Sequence, residues 1–118
     1  MRSVARSGEF VRFVLDLMAP LGEIRARAMF GGHGIYQADA MFAIVADDRL
    51  YLKADSATSG AFAERNLSQF TYVARGKTIT MQYYEAPPEV FESPLAMQIW
   101  AQQSIAAALR ARSDKPKD

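Results

Sequence analysis

The chain contains no cysteine. Disulfides, thiolate metal sites and cysteine nucleophiles are therefore excluded, and the composition fits a reducing compartment. An excess of one charge is missing too: 14 basic against 13 acidic residues leave a net charge of +1. Proteins that coat nucleic acid carry a clear basic excess, so the balance argues against a direct nucleic-acid binder and offers nothing to an anionic membrane. No segment approaches the ~18 consecutive apolar residues that span a bilayer. Arg2 and Arg6 lie near the N-terminus, but Glu9, Arg12 and Asp16 interrupt the apolar residues behind them, which is not the pattern of a cleaved signal peptide. A cytoplasmic protein without a membrane segment is the expectation.

What is present is ordinary globular material. Of 118 residues, 50% are hydrophobic and 23% charged, enough for one core and too apolar for a disordered chain. A single domain over residues 1–112 is expected, followed by a polar flexible tail at 113–118. Phe10, Phe13, Val14, Leu17 and Met18 follow the spacing of one helix face, so residues 7–19 read as a helix, with Ser7 as N-cap and Pro20 and Gly22 as the stop. Residues 24–30, 34–36, 41–46 and 49–53 read as strands of an antiparallel meander. The first is broken by Gly31, Gly32, His33 and Gly34, with further turns near residues 37–39 and at Asp47 and Asp48. The continuous apolar run 41–46 belongs in the middle of the sheet. In 49–53, Leu50 and Leu52 face one way, Tyr51 and Lys53 the other.

A second helix is expected over residues 57–66, capped by Ser56 and weakened by Gly60. Residues 70–73 and 79–84 form a hairpin around Arg75, Gly76 and Lys77. Ser93 and Pro94 open a last helix that runs to about residue 111. Its apolar residues Leu95, Ile99, Trp100, Ile105, Ala108 and Leu109 do not make one narrow stripe, so more than one side is covered, and a homodimer interface would supply the second cover. The fold class is α+β: an antiparallel sheet of five to six strands flanked by N-terminal, middle and C-terminal helices, in the order α-β-β-β-β-α-β-β-α.

The series Met29, Phe30, Gly31, Gly32, His33, Gly34, Ile35, Tyr36 resembles the signature of the TfoX N-terminal domain family. Later segments agree with it: Met41, Phe42 and Ala43; the stretch from Asp47 to Lys53; Phe70, Thr71 and Tyr72; Gly76 and Lys77; Met81 to Tyr84; and Pro87. The likeness covers roughly residues 10–112. It implies an α+β domain with an antiparallel sheet and a link to the regulation of natural competence for DNA uptake. Full-length members of that family act as transcriptional coregulators beside the cyclic-AMP receptor protein, and carry a C-terminal domain that would begin where this chain ends. The family brings no catalytic residues to these positions.

Candidate chemistry is sparse. The glycines at 31, 32 and 34 precede a strand rather than a helix, so a bulge or tight bend explains them better than a phosphate loop. His33, the only histidine, has no nucleophile or orienting carboxylate in a recognisable setting. Asp39, Asp47, Asp48 and Asp55 suit turns and caps and match no metal motif. Arg110, Arg112, Lys115 and Lys117 read as a solvated helix end tempered by Asp114 and Asp118. Tyr36, Tyr51, Phe70, Tyr72, Tyr83 and Tyr84 lie on strands near Lys53, Arg75 and Lys77, and tyrosine and arginine are common interface anchors. The expectation is a non-enzymatic regulatory module that binds a protein partner, such as the transcription machinery, without cofactor or metal. Its surface would be formed by Tyr51, Lys53, Tyr72, Arg75 and Lys77. Two alternatives are a direct nucleic-acid binder using the same aromatic and basic positions, and a small-ligand or enzymatic domain with a pocket near residues 31–36.

Overall fold

A computed structural model describes residues 6–29 and 31–113, except for the side chains of Arg6 and Ser7. The chain order is α1 (Arg6–Leu17), β1 (Ile24–Met29), β2 (Gly32–Gln37), β3 (Ala40–Ala46), β4 (Arg49–Lys53), α2 (Ser59–Ala63), β5 (Gln69–Ala74), β6 (Lys77–Glu85) and α3 (Pro94–Ser113). Single 3₁₀ turns at Ala19–Leu21 and Pro88–Phe91 follow α1 and precede α3. The α+β class and the order of elements are those expected.

The six strands form one antiparallel sheet in the order β1-β2-β3-β4-β6-β5. β1 to β4 are a meander. The chain then leaves through α2, lays β5 at the edge and returns β6 between β5 and β4. Two hairpins close on two-residue turns with both central residues at positive φ, Asp47 and Asp48 at 53° and 56°, Arg75 and Gly76 at 55° and 76°. Such turns match the right-handed twist of the strands they join.

Register decides which side chains share a face. Val45 pairs Leu50 and Ala43 pairs Leu52. These four are buried in one cluster with Val11, Val14 and Met18 of and just after α1, Phe62 of α2, and Met97, Ala101, Ile105 and Ala108 of α3. All three helices therefore cover this one face. The β2–β3 register shifts at Ile35 and Tyr36, and the bulge turns both Phe42 and Ala43 into the core. Ser93 caps α3 as expected, its Oγ accepting from the Ala96 amide at 3.2 Å.

Several boundaries differ from the sequence reading. β2 begins at Gly32 rather than Gly34, so Gly32 and His33 are strand residues rather than a break. Only Gly31 takes a positive φ, 79°. Phe30 lies outside the described residues. Ser7 lies inside α1 rather than before it. α2 is five residues long, not ten, and is not capped by Ser56. Instead the Asp55 carboxylate accepts from the Ala57 amide, and Thr58 Oγ1 accepts from the Asp55 amide, each at 3.0 Å. α3 runs two residues past its expected end. Residues 114–118 of the expected tail lie outside the described part.

Candidate partner-binding surface

The face opposite the helices is built by the alternate residues of each strand. Pairing places Arg25, Arg27 and Met29 of β1 beside Tyr36, Gly34 and Gly32 of β2. Ile44 pairs Tyr51, which also pairs Glu85, and Lys53 pairs Tyr83. Tyr72 pairs Ile79. Among the described residues no helix lies over this open face.

The face nevertheless contains two buried side chains. Ile44 is 2% and Tyr83 3% exposed. Tyr83 crosses the sheet, its hydroxyl donating to the Met41 carbonyl at 3.2 Å, while the Lys53 ammonium sits 5.0 Å from its ring centre. On the far side of Met41, the Arg25 and Arg27 guanidinium groups lie 5.4 and 5.9 Å from the Tyr36 ring centre. Cations over ring faces of this kind are mutually attractive. Tyr51 meets Phe70 edge-on at 4.9 Å, and Phe70 lies 6.2 Å from Tyr72.

Of the five residues singled out from sequence, Tyr51 and Tyr72 are brought together through Phe70. Lys53 stands apart from them, over Tyr83. Lys77 opens β6 on the same face, and Arg75 occupies the exposed hairpin turn. Tyr84, grouped with the other aromatics by sequence, points the other way: it pairs Leu52 and stacks on Phe62 at 5.3 Å. Arg25, Arg27, Met29, Met41 and Ile44 were not among the expected surface residues. Strand alternation in residues 24–29 carried the signal for the first three.

Burial raises the Tyr83 phenol above its ordinary value, and charge repulsion from the Tyr36 phenol adds to it. Tyr51 is raised as well, by burial and then by Glu85. Both phenols stay protonated at neutral pH, so they offer hydrogen bonds and ring edges rather than acid–base chemistry. Burial lowers Lys53, and the Asp55 carboxylate opposes that.

A second feature occupies the end of the sheet. Ala28, Met29, Gly31, Gly32, His33, Val45, Ala46 and Asp47 line a depression of about 510 Å³. His33 is half-buried on β2, and no hydrogen bond to its Nδ1 is present among the described residues. The lining holds one imidazole and one carboxylate among small apolar residues. Among the described residues no three side chains of metal-binding type converge, and no helix is long and apolar enough to cross a membrane. The basic end of α3 is not simply solvated: Arg110 donates to Asp55 at 2.7 Å and Arg112 pairs with Asp39. Lys115 and Lys117 lie outside the described residues.

Residues 16–108 match the family described as the TfoX N-terminal domain. The chain is 36% identical over 77 residues to the DNA transformation protein TfoX1 of Aliivibrio fischeri, which covers 65% of this chain and 36% of that protein. It is 28% identical over 100 residues to Protein Sxy of Escherichia coli, covering 85% of this chain and 48% of that protein. The chain thus spans less than half the length of either relative.

Proposed function

The chain belongs to the TfoX N-terminal domain family, and from that premise we propose that it is a non-enzymatic regulatory module that docks a protein partner on the open face of its sheet. The observation that carries this reading is the face itself: a six-stranded sheet whose helices all lie on one side, with aromatic, methionine and cationic side chains on the other. Half-buried aromatics beside cations are the usual anchors of protein interfaces. Tyr51, Lys53, Tyr72, Arg75 and Lys77 form its β4–β5–β6 half. The relative named a DNA transformation protein supports a setting in the regulation of DNA uptake, with transcription machinery in the cytoplasm as the partner class.

The test is capture of the tagged protein from its own cells after mild crosslinking. RNA polymerase or a transcription factor is expected to co-purify, and to be lost when Tyr51, Lys53 and Tyr72 are replaced together by alanine. Recovery of the protein alone, or capture unchanged by the triple variant, would overturn the proposal.

Self-association belongs to the same proposal and rests on a different surface. From Ser93 to Leu109 the chain carries no charged residue, although Leu95 is 65% and Ile99 and Leu109 are each 49% exposed on α3. A surface helix without charge on its outer side suits a second copy of the chain.

A further inference from the structure

Five cations stand on the open face at Arg25, Arg27, Arg49, Lys53 and Lys77, against one strand carboxylate, Glu85; Asp47 and Asp55 lie at its edges, near enough to act on Tyr51 and Lys53. The Glu85 carboxylate is already engaged, 3.3 Å from Arg49. The whole chain sums to only +1, so the compensating acids lie elsewhere, in α1 (Glu9, Asp16), around α2 and before α3 (Glu64, Glu89, Glu92), and in turns at the sheet ends. Asp47 and Asp48 occupy the β3–β4 turn at the rim. Asp39 is taken by Arg112.

We infer that the open face selects a protein segment in which carboxylates flank a short apolar stretch. The inference rests on the docking reading above and names the chemistry of its partner. Charge complementarity supplies the sign. Opposite potentials steer encounter and penalise partners of the wrong charge. The apolar part follows from the half-buried side chains between the cations, Tyr36 on β2, Met41 on β3 and Tyr51 on β4. Strands β1 and β4 are three intervals apart, or ~14 Å at ~4.8 Å per strand. Carboxylates on either side of an apolar stretch of that length would reach Arg27 and Lys53 together.

A single-stranded nucleic acid shares the negative charge but fits the face less well. Bases bind such sheets by lying flat on aromatic rings. Here the guanidinium groups of Arg25 and Arg27 lie over Tyr36, and the Lys53 ammonium lies over Tyr83. Tyr51 is set edge-on to Phe70, at 65° between ring planes. A base could stack on Tyr36 or Tyr83 only by displacing the cation that would hold its phosphate. A carboxylate needs the cation alone and leaves the ring contacts in place.

Four fluorescein-labelled probes test this by anisotropy at low and at physiological salt. They are a fourteen-residue peptide with glutamates on both sides of a short central run of leucine and valine, the same peptide with glutamine or with lysine for glutamate, and a fourteen-nucleotide oligothymidine. The glutamate peptide is expected to bind about tenfold or more tightly than the glutamine peptide, and to weaken as salt rises. Arg27→Glu, at an exposed position, should cost about tenfold and Arg27→Gln less, with unchanged melting temperatures. Lys53→Glu should add to the loss. Equal binding of the glutamate and glutamine peptides, both lost on Tyr51→Ala, would overturn charge selection and leave docking at the face intact. No peptide binding, together with partner capture indifferent to Tyr51 and Tyr72, would remove the docking reading as well. Oligothymidine binding more tightly than the glutamate peptide would overturn the inference in favour of nucleic acid.

Discussion

Gly32 and Gly34 sit two residues apart on one strand and face the same side, but they are irreplaceable to different degrees. A Cβ added at Gly32 would lie 2.2 Å from the Val45 carbonyl oxygen, which is backbone of the next strand and cannot yield without opening the β2–β3 ladder. At Gly34 the nearest atom, at 2.6 Å, is the Met41 sulfur, the far end of a flexible side chain. Gly32→Ala is therefore expected to cost about 3 kcal/mol and Gly34→Ala about 1 kcal/mol. Urea denaturation of the two variants measures both, and equal costs would contradict the assignment. The glycine cluster was conspicuous in the sequence, and the bend expected there exists at Gly31. What could not be read was that Gly32 and Gly34 are needed for close approach rather than for positive φ, because the approaching atoms belong to Val45 and Met41 on the next strand, β3. The same limit hid the surroundings of Tyr83. Alternation placed it with Ile79 and Met81, yet the Lys53 ammonium over its ring and the Met41 carbonyl at its hydroxyl are brought to it only by the assembled sheet.

At the scale of elements, local signals located the strands well and the middle helix poorly. β4 was legible because Leu50 and Leu52 alternate with Tyr51 and Lys53, and α3 because Ser93 and Pro94 mark its start. α2 fell to half its expected length because Gly60 and a turn-forming Asp55–Thr58 pair leave little to propagate a helix. What holds that segment is tertiary: Phe62 lies between Tyr84 and Trp100, each 5.3 Å away, and two ion pairs fasten its ends. Arg110 of α3 binds Asp55 before α2, and Arg65 after it binds Glu89 of the 3₁₀ turn, 2.7 Å at Nη2. The hydrogen bonds from Arg65 hold the Glu89 carboxyl at about 2, well below its ordinary 4.5, and those from Arg110 lower Asp55 from its ordinary 3.8. A carboxylate depressed by folding stabilises the native state fully above its unfolded value, and that contribution fades as pH falls toward the folded value. The melting temperature should therefore drop between about pH 4.5 and pH 2, and drop less steeply in Asp55→Asn with Glu89→Gln. Trp100, the only tryptophan, packs on Phe62 and reports the transition by fluorescence. An acid limb of the same slope in the double variant would show that these pairs, largely exposed, contribute nothing measurable.

For the whole molecule, composition was informative about class and misleading about surface. A net charge of +1 read as neutrality, whereas folding gathers five cations on one face of the sheet and sends the acids to helices and turns. In α3 the wide spread of apolar residues was likewise visible, but not their division into two seams. Met97, Ala101, Ile105 and Ala108 go to the core, leaving Leu95, Ile99, Gln102, Ala106 and Leu109 at intervals of 4, 3, 4 and 3 along the outer side. That interval pattern is the one by which helices pair. It also reads nearly the same in reverse about Gln102. A second copy laid antiparallel with its two-fold axis at Gln102 sets Leu95 against Leu109 and the large Ile99 against the small Ala106. It also opposes the helix dipoles and separates the arginines at 110 and 112 of the two copies. A parallel pair would leave Ala106 facing Ala106 and crowd those arginines together. The cysteine-free chain makes the geometry directly measurable. Gln102→Cys is expected to form a disulfide-linked dimer under mild oxidation, and Leu95→Cys to crosslink with Leu109→Cys but not with itself, since bridged residues need their Cα atoms within about 7 Å. Light scattering of the unsubstituted protein should give twice the chain mass at high concentration, and Leu109→Glu should return it to one. Self-crosslinking at position 95 would instead make the pair parallel, and a single-chain mass at every concentration with no crosslink at 102 would mean that α3 meets a different protein.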